Sequence, residues 1–251
     1  MKESRYFFVP EVDKGILPEE ESQHALRVLR LAEGDDIYLI DGRGSFYHAV
    51  VSMATSKKCC YDVLEVMPQS RLWKSHIHLA MAPTKNIDRV EWMTEKATEI
   101  GFDELSFLNC RFSERRVVKC GRIEKIVVSA VKQSRKAWKP IVNEMMSFEE
   151  FVRQPRNGVK CIAHCYEEVA RSDFFNLLQS SEMCPDEDIT IMIGPEGDFS
   201  IDEVRMAESH GFISVSLGEC RLRTETACLF AVAVALLSRR NGSVGHNVNK
   251  I

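Results

Sequence analysis

Apolar residues recur at two different periods along this chain, and the change from one to the other divides it. Over the first seventy residues, short apolar runs alternate with turn signals. Tyr6–Val9, Ile37–Ile40, Phe46–Val51 and Tyr61–Val66 read as strands of a small β-rich module. Asp41-Gly42-Arg43-Gly44 joins two of them as a hairpin-type turn. Glu19–Leu31 has helical spacing and predicts one amphipathic helix with Ala25, Leu26, Val28 and Leu29 inward. Met67-Pro68-Gln69-Ser70 is the candidate linker.

From His76 the pattern becomes strand, helix, strand, helix, which predicts a parallel sheet covered by helices. Ile77–Met81 is a strand. Asn86 caps a helix carrying Val90, Met93, Ala97 and Ile100, and Gly101 stops it. Leu105–Leu108 is the next strand. Arg122–Trp138 is a helix with Ile126, Ala130 and Val131 on one side, ended before Pro140. Strands Cys161–Ala163 and Ile189–Ile193 flank a short helix at Phe174–Leu178. Ile193 runs directly into Gly194-Pro195-Glu196-Gly197-Asp198-Phe199. Ser200 and Glu203 then form a capping box for a helix that Gly211 closes. Strand Val215–Leu217 meets Gly218, a loop to Thr224, and an apolar helix from Glu225, with Thr224 as its expected cap. Residues 241–251 are polar and read as a flexible tail.

Composition narrows the class. With 251 residues, 45% hydrophobic and 28% charged, the chain has enough apolar surface for a core and is neither disordered nor collagenous. Its longest apolar run, Ala227–Leu237, falls well short of the roughly 20 residues a membrane span needs, so a buried helix is expected. The start, MKESRYFFVPEV, lacks the apolar stretch of a signal peptide, and nine cysteines form no regular framework. A cytoplasmic protein without disulfides or membrane contact is the expectation. The net charge of −4 conceals a basic centre: residues 73–140 carry +6. Between Arg111 and Lys139 stand ten basic residues against Glu114 and Glu124. Such a segment neutralises phosphates or forms a solvated helix face, and charge alone leaves both open.

Two glycine-bearing loops after sheet strands are where ligands lie in open α/β folds, although Gly-Pro-Glu-Gly is also a tight turn. No Gly-Lys-Ser/Thr follows Gly194 and no three-glycine fingerprint is present, which argues against a P-loop kinase or a nicotinamide enzyme. Arg221 and Arg223 precede the helix that opens with Thr224 and Glu225. They suit an anionic or electron-rich ligand, or a cap with a salt bridge. His76, His78, Cys161, His164 and Cys165 lack zinc-knuckle spacing, so no metal is expected, and no Ser-His-Asp order can be assembled.

These residues belong to a longer ordered set. It comprises HALRVLR (His24–Arg30), Asp41-Gly42, Glu95-Lys96 with Glu99-Ile100-Gly101, and Phe112-Ser113-Glu114-Arg115. It continues with Gln133-Ser134-Arg135 before Pro140, IGPEGDFS (Ile193–Ser200) and LGECRLRTETA (Leu217–Ala227). With this set the chain resembles the RsmE family of ribosomal RNA methyltransferases in the SPOUT superfamily. The resemblance implies an N-terminal PUA-like β-barrel for RNA binding (residues 1–70) and a C-terminal SPOUT α/β domain with a trefoil knot (residues 73–240). It also implies a homodimer acting with S-adenosylmethionine on N3 of a uridine near the decoding centre of 16S rRNA, in the small ribosomal subunit.

Carried over by position, the cofactor would lie against Met192, Gly194, Glu196 and Gly197, and against Leu217, Gly218, Leu222, Arg223 and Thr226. Arg223 would stabilise the uracil anion, with Glu196 or Glu225 as proton acceptor. From their charge, Arg115, Arg116, Lys132 and Arg135 are expected with the β-rich module to grip RNA phosphates, and His24, Arg27 and Arg30 either join that surface or serve the capping and packing of their own helix. The chain departs from the family pattern at Asp198, where a second glycine is usual, and at Cys220, where a more compact pattern is common. Two other readings use the same residues: a non-catalytic RNA-binding or ribosome-assembly module, and a SPOUT enzyme acting on tRNA or on a ribose 2′-oxygen.

Overall fold

The computed structural model describes residues 5–180 and 186–239, so the expected tail at 241–251 lies outside the described residues. These fall into two compact units: the residues up to Arg71 together with Val128–Lys139, and Leu72–Val127 together with those from Pro140 on. Residues 128–139, inside the range 73–240 expected for the second domain, thus cluster with the first unit.

In the first unit, β1 (Tyr6–Phe8), β2 (Asp36–Ile40), β3 (Ser45–Ala54) and β4 (Cys59–Pro68) form one sheet in chain order. β1 runs parallel to β2 and the other pairs are antiparallel. Alternate residues Phe7, Ile37, Leu39, Ala49, Val51 and Tyr61 bury one face, as a period of two requires. β4 extends to Pro68, two residues into the expected linker. A proline at the end of an edge strand forfeits no ladder hydrogen bond.

The second unit is a parallel sheet between two layers of helices. Its strands are β5 (Ile77–Met81), β6 (Glu104–Asn109), β7 (Ile141–Val142), β8 (Met146–Ser147), β9 (Val159–Ala163), β10 (Ser172–Asp173), β11 (Ile189–Ile193) and β12 (Ile213–Ser216). The spatial order is β10-β12-β9-β11-β5-β6-β7, with β8 also pairing β6, every pair parallel. β5 and β11 are buried at all five positions, as strands covered on both faces must be. In the chain, α1 (Glu19–Gln23) precedes this unit. α2 (Ile87–Ile100), α3 (Cys120–Gln133), α4 (Phe148–Arg153), α5 (Phe174–Gln179), α6 (Ile201–Ser209) and α7 (Thr224–Ser238) follow its strands. Val90 and Met93 of α2, Phe174 of α5 and Ala231 of α7 pack into one core cluster, and Phe151 of α4 and Val204 of α6 into another. Asn86 caps α2 by accepting from the Asp88 N–H at 3.0 Å, and Ser200 and Glu203 form the expected reciprocal box. No helix among the described residues is long and apolar enough to cross a membrane.

Two expected helices are shorter than their patterns. Glu19–Leu31 is not one α-helix, because α1 gives way to a π-helical turn over His24–Val28. There the Leu29 N–H donates to the His24 carbonyl (3.1 Å) and the Leu31 N–H to that of Ala25 (3.0 Å). The widened turn shifts the phase of the side chains. Ala25 is buried, Leu26 and Leu29 are half-buried, and Val28, expected inside, is 65% exposed. Helix α3 stops at Gln133 rather than Trp138, because Arg135 adopts a left-handed conformation (φ +50°). The Arg135 N–H donates to the Lys132 carbonyl (3.3 Å) and the Lys136 N–H to that of Val131 (3.0 Å), a Schellman closure with arginine where glycine is usual. Trp138 then forms a β-bridge with Arg43. Gly44 admits the indole, since a Cβ there would lie 2.3 Å from it.

Candidate functional site

Parallel strands end their chains at one edge of the sheet, so the loops that follow neighbouring strands must converge there. The loops after β9, β11 and β12 enclose a cavity of about 400 Å³. The β11 loop turns back on its own start: the Asp198 N–H donates to the Pro195 carbonyl (2.9 Å), and a Cβ on Gly194 would meet the Phe199 nitrogen at 3.0 Å. Any larger residue there would have to push that backbone away by a few tenths of an ångström.

That loop is tied to each neighbour. The Glu196 Oε1 accepts from the Lys85 N–H at 2.9 Å, fixing the loop after β5. The Asp198 Oδ2 accepts from the Cys165 N–H at 2.8 Å, and the Tyr166 hydroxyl donates to the Phe199 carbonyl at 2.8 Å, fixing the loop after β9. The Thr224 hydroxyl donates to the Gly194 carbonyl at 3.1 Å, fixing the start of α7. Thr224 therefore does not cap α7, as the sequence suggests. Arg223 occupies the N-cap without a side-chain bond, and the threonine hydroxyl serves the tertiary contact instead.

Among the residues expected to hold a cofactor, Gly194, Glu196, Leu217, Gly218, Leu222 and Arg223 line the cavity. Met192 is buried within β11, while Gly197 and Thr226 are exposed and stand off the wall. Glu225 lines it too, buried, with its Oε1 accepting from the Thr84 hydroxyl at 2.9 Å. Sequence reasoning missed Arg89, His164, Cys165, Arg171 and Asp198. The signal was available for two of them: Cys161–Ala163 was legible as a strand, and the rule that directs attention to strand ends applies equally to His164 and Cys165. Burial holds His164 below the usual histidine range and raises the Cys165 thiol, with Asp198 raising it further against Arg221. A thiol so raised is no thiolate nucleophile at neutral pH.

The residues expected to contact RNA divide between the two units. His24, Arg27 and Arg30 follow one another on the exposed π-helical turn and its end, Arg30 itself left-handed (φ +52°). Lys132 is ion-paired to Glu21 at 2.6 Å, and the Arg135 guanidinium lies 5.2 Å from the centre of the Tyr6 ring. In the second unit Arg116 is exposed, whereas the Arg115 guanidinium donates to the Thr84 and Lys85 carbonyls (3.1 and 2.5 Å). Arg115 thus braces the segment that carries the partner of Glu196.

His76, just before β5, and His78 within it serve a polar cluster. His76 Nε2 is 2.8 Å from Glu104, and His78 Nε2 is 2.9 Å from Ser106. Burial pushes His78 down to about 4, and the His76 hydrogen bond holds Glu104 at about 2.

Comparison with known proteins gives a consistent answer. A family model described as an RNA methyltransferase domain matches residues 71–236, and one described as an RNA methyltransferase PUA domain matches residues 17–63. The chain is 29% identical over 207 residues to "Ribosomal RNA small subunit methyltransferase E" of Rickettsia conorii, covering 82% of each. It resembles the crystal structure of a probable rRNA-methyltransferase from Porphyromonas gingivalis (TM-score 0.85, 41% identity, 94% of this chain and 98% of that one). It also resembles the Neisseria gonorrhoeae ribosomal RNA small subunit methyltransferase E bound to S-adenosyl methionine (TM-score 0.78, 26% identity, 94% and 98%).

Proposed function

Because the chain belongs to the RNA methyltransferase family that includes the ribosomal RNA small subunit methyltransferase E proteins, and so is an enzyme that methylates ribosomal RNA, we propose that its target is N3 of a uridine in 16S rRNA. S-adenosylmethionine is its cofactor, the small ribosomal subunit or its rRNA its partner, and the cytoplasm its place of work. The finer architecture in this reading is a first domain (residues 1–70) closed as a PUA-like barrel and a second (73–240) carrying a trefoil knot.

The residues present fit the cofactor. A cavity of about 400 Å³ is in the range that encloses a ligand of this size, and Gly194 and Gly218 line it without a side chain that would occupy it. Gly194, Leu217, Gly218 and Leu222 would hold it. Met192, Gly197 and Thr226 stand behind or beside that wall and support its shape. When bound, the cofactor supplies an electrophilic methyl group on a sulfonium, so the protein needs no nucleophile of its own.

What the protein must manage is the uracil. Its N3 carries a proton, and if its pKa lies about two units above neutral, exposing the anion costs about 3 kcal/mol. Arg223, exposed on the cavity wall, offers a permanent positive charge to the developing anion. Glu196 is the better of the two proton acceptors: it is exposed, and one carboxylate oxygen takes the Lys85 N–H while the other remains available. Glu225 is buried against Thr84 and has no such access to water. Arg27, Arg30, Arg116, Lys132 and Arg135 supply cationic contacts to the RNA backbone and His24 a polar one, with Arg115 as the brace described above. A homodimer is supported by Trp92 of α2 and Phe230 and Leu237 of α7, on two helices that pack together and leave these side chains 43–56% exposed.

The observation that carries the reading is the cavity at the ends of β9, β11 and β12, lined by six of the residues that the family pattern assigns to the cofactor. Two assays test it together. Calorimetry reports binding of S-adenosylmethionine, and tritium from its labelled methyl group is followed into 16S rRNA offered free or as small subunits. Binding with transfer supports the proposal; no transfer to either substrate overturns it.

A further inference from the structure

We propose that Asp198 is a positioning residue for the cofactor, its carboxylate standing in for the freedom of a glycine by locking two walls of the cavity together. This rests on the cofactor reading above and goes beyond it, because Asp198 is not among the residues assigned to the cofactor there.

The backbone is the first observation. Asp198 has φ +67°, a region that costs an ordinary L-residue roughly 1–2 kcal/mol and that aspartate tolerates better than most. Asp198 thus holds a backbone conformation that favours glycine and adds a side chain to it. The second is where that side chain goes. Its Oδ1 accepts from the Phe199 N–H at 2.7 Å, and its Oδ2 accepts from the Cys165 N–H at 2.8 Å, thirty-three residues away in sequence. One carboxylate therefore joins the loop after β11 to the loop after β9. Both hydrogen bonds have an ionised acceptor, the stronger class.

The third is what the joined segment touches. A Cβ on Gly194 would meet the Asp198 carbonyl carbon at 3.2 Å and the Phe199 nitrogen at 3.0 Å, so the Asp198–Phe199 peptide is packed directly on the glycine that opens the cavity wall. Cys165 and Asp198 both line the cavity. A shift of the carboxylate would move the β9 loop and the Gly194 wall together. With glycine at 198 the turn would still form, but the two loops would lose this tie and would have to be ordered when the cofactor enters.

Asp198→Gly is compatible with the local backbone, so folding is retained. Its affinity for S-adenosylmethionine, measured by calorimetry, falls about tenfold, and KM for the cofactor rises more than kcat falls. KM for RNA is unchanged. Asp198→Asn tolerates the left-handed region but keeps one acceptor oxygen for two N–H donors and turns its amide NH2 toward the other, so its affinity lies between that of the glycine variant and that of the wild type. Wild-type binding together with an Asp198→Gly variant within twofold of it overturns this proposal and leaves the cofactor reading standing. An Asp198→Asn variant that binds as tightly as the wild type overturns it also, since it cannot make both bonds. A wild-type chain that binds no S-adenosylmethionine removes the cofactor reading and this proposal with it.

Discussion

Replacing Thr224 with valine removes one hydroxyl and almost no volume. In the protein that hydroxyl is buried and donates to the Gly194 carbonyl at 3.1 Å, joining the start of α7 to the cavity wall. Leaving a buried carbonyl without its donor costs about 1–3 kcal/mol, and the added methyl returns about 0.8 kcal/mol, so the net loss is on the order of 1 kcal/mol. At roughly 2–4 °C per kcal/mol for a chain of this size, the melting temperature of the second unit drops by only a few degrees. Thr224→Ser is the informative control, since it gives up a methyl group and keeps the hydroxyl. It costs a similar amount of stability by a different route.

The two variants separate in cofactor binding. Thr224→Val frees the α7 start from Gly194 and weakens S-adenosylmethionine binding several-fold, whereas Thr224→Ser binds as the wild type does. Paired calorimetric titrations and thermal melts measure both quantities. Equal cofactor affinity in the two variants would refute the argument that this bond positions the wall.

Arg223→Ala lowers kcat by about 10²–10³ while S-adenosylmethionine affinity changes little; equal losses in single-turnover rate and in binding would reject its role at the developing anion. Gly44→Ala places a Cβ 2.3 Å from the Trp138 indole at a backbone φ of +113°, and destabilises the first unit by about 2 kcal/mol or more, read as earlier proteolysis of that unit. Burial holds His78 at about 4, below its unfolded value near 6.5. Its protonation therefore favours the unfolded chain, and stability falls as pH drops from about 6.5 towards 4. His76, raised by Glu104, contributes in the opposite direction, so the test is the difference between wild type and His78→Asn in denaturant titrations at pH 7 and 5. A smaller loss in the variant is expected, and parallel slopes would contradict it. Neutralising Arg27, Arg30 and Arg135 together weakens RNA binding and reduces the slope of log K against log salt by about 2–3; an unchanged slope removes them from the interface.

Most of the second unit was legible because its signals are local. The run Ile189–Ile193, the cap at Asn86 and the Ser200–Glu203 box each depend on residues a few positions apart, and each appears where the pattern puts it. What was not legible arises from residues breaking their ordinary conformational preferences. Arg135 ends α3 in a conformation that sequence rules reserve for glycine, so Arg122–Trp138 reads as continuous helix. The π-helical turn at His24–Val28 has no periodicity of its own, and the apolar spacing of a standard helix turns Val28 to the wrong side. Thr224 looks like a cap because cap chemistry is local, whereas its partner Gly194 is thirty residues distant. The two cavity loops with glycines were found and the third was not, since His164 and Cys165 carry no glycine to mark them. Arg115 reads as one more cation in a basic run, and only the fold reveals that its guanidinium bonds two backbone carbonyls.

The most direct test is the chemical address of the methyl group. Small subunits or 16S rRNA, methylated in vitro by the purified chain with S-adenosylmethionine, are digested with a base-specific nuclease and the fragments are mapped by mass. One fragment gains a single methyl group, located on the base of one uridine and blocking its pairing edge to reverse transcription. A methyl group on a ribose, on another base, or on tRNA in preference to 16S rRNA would contradict the account.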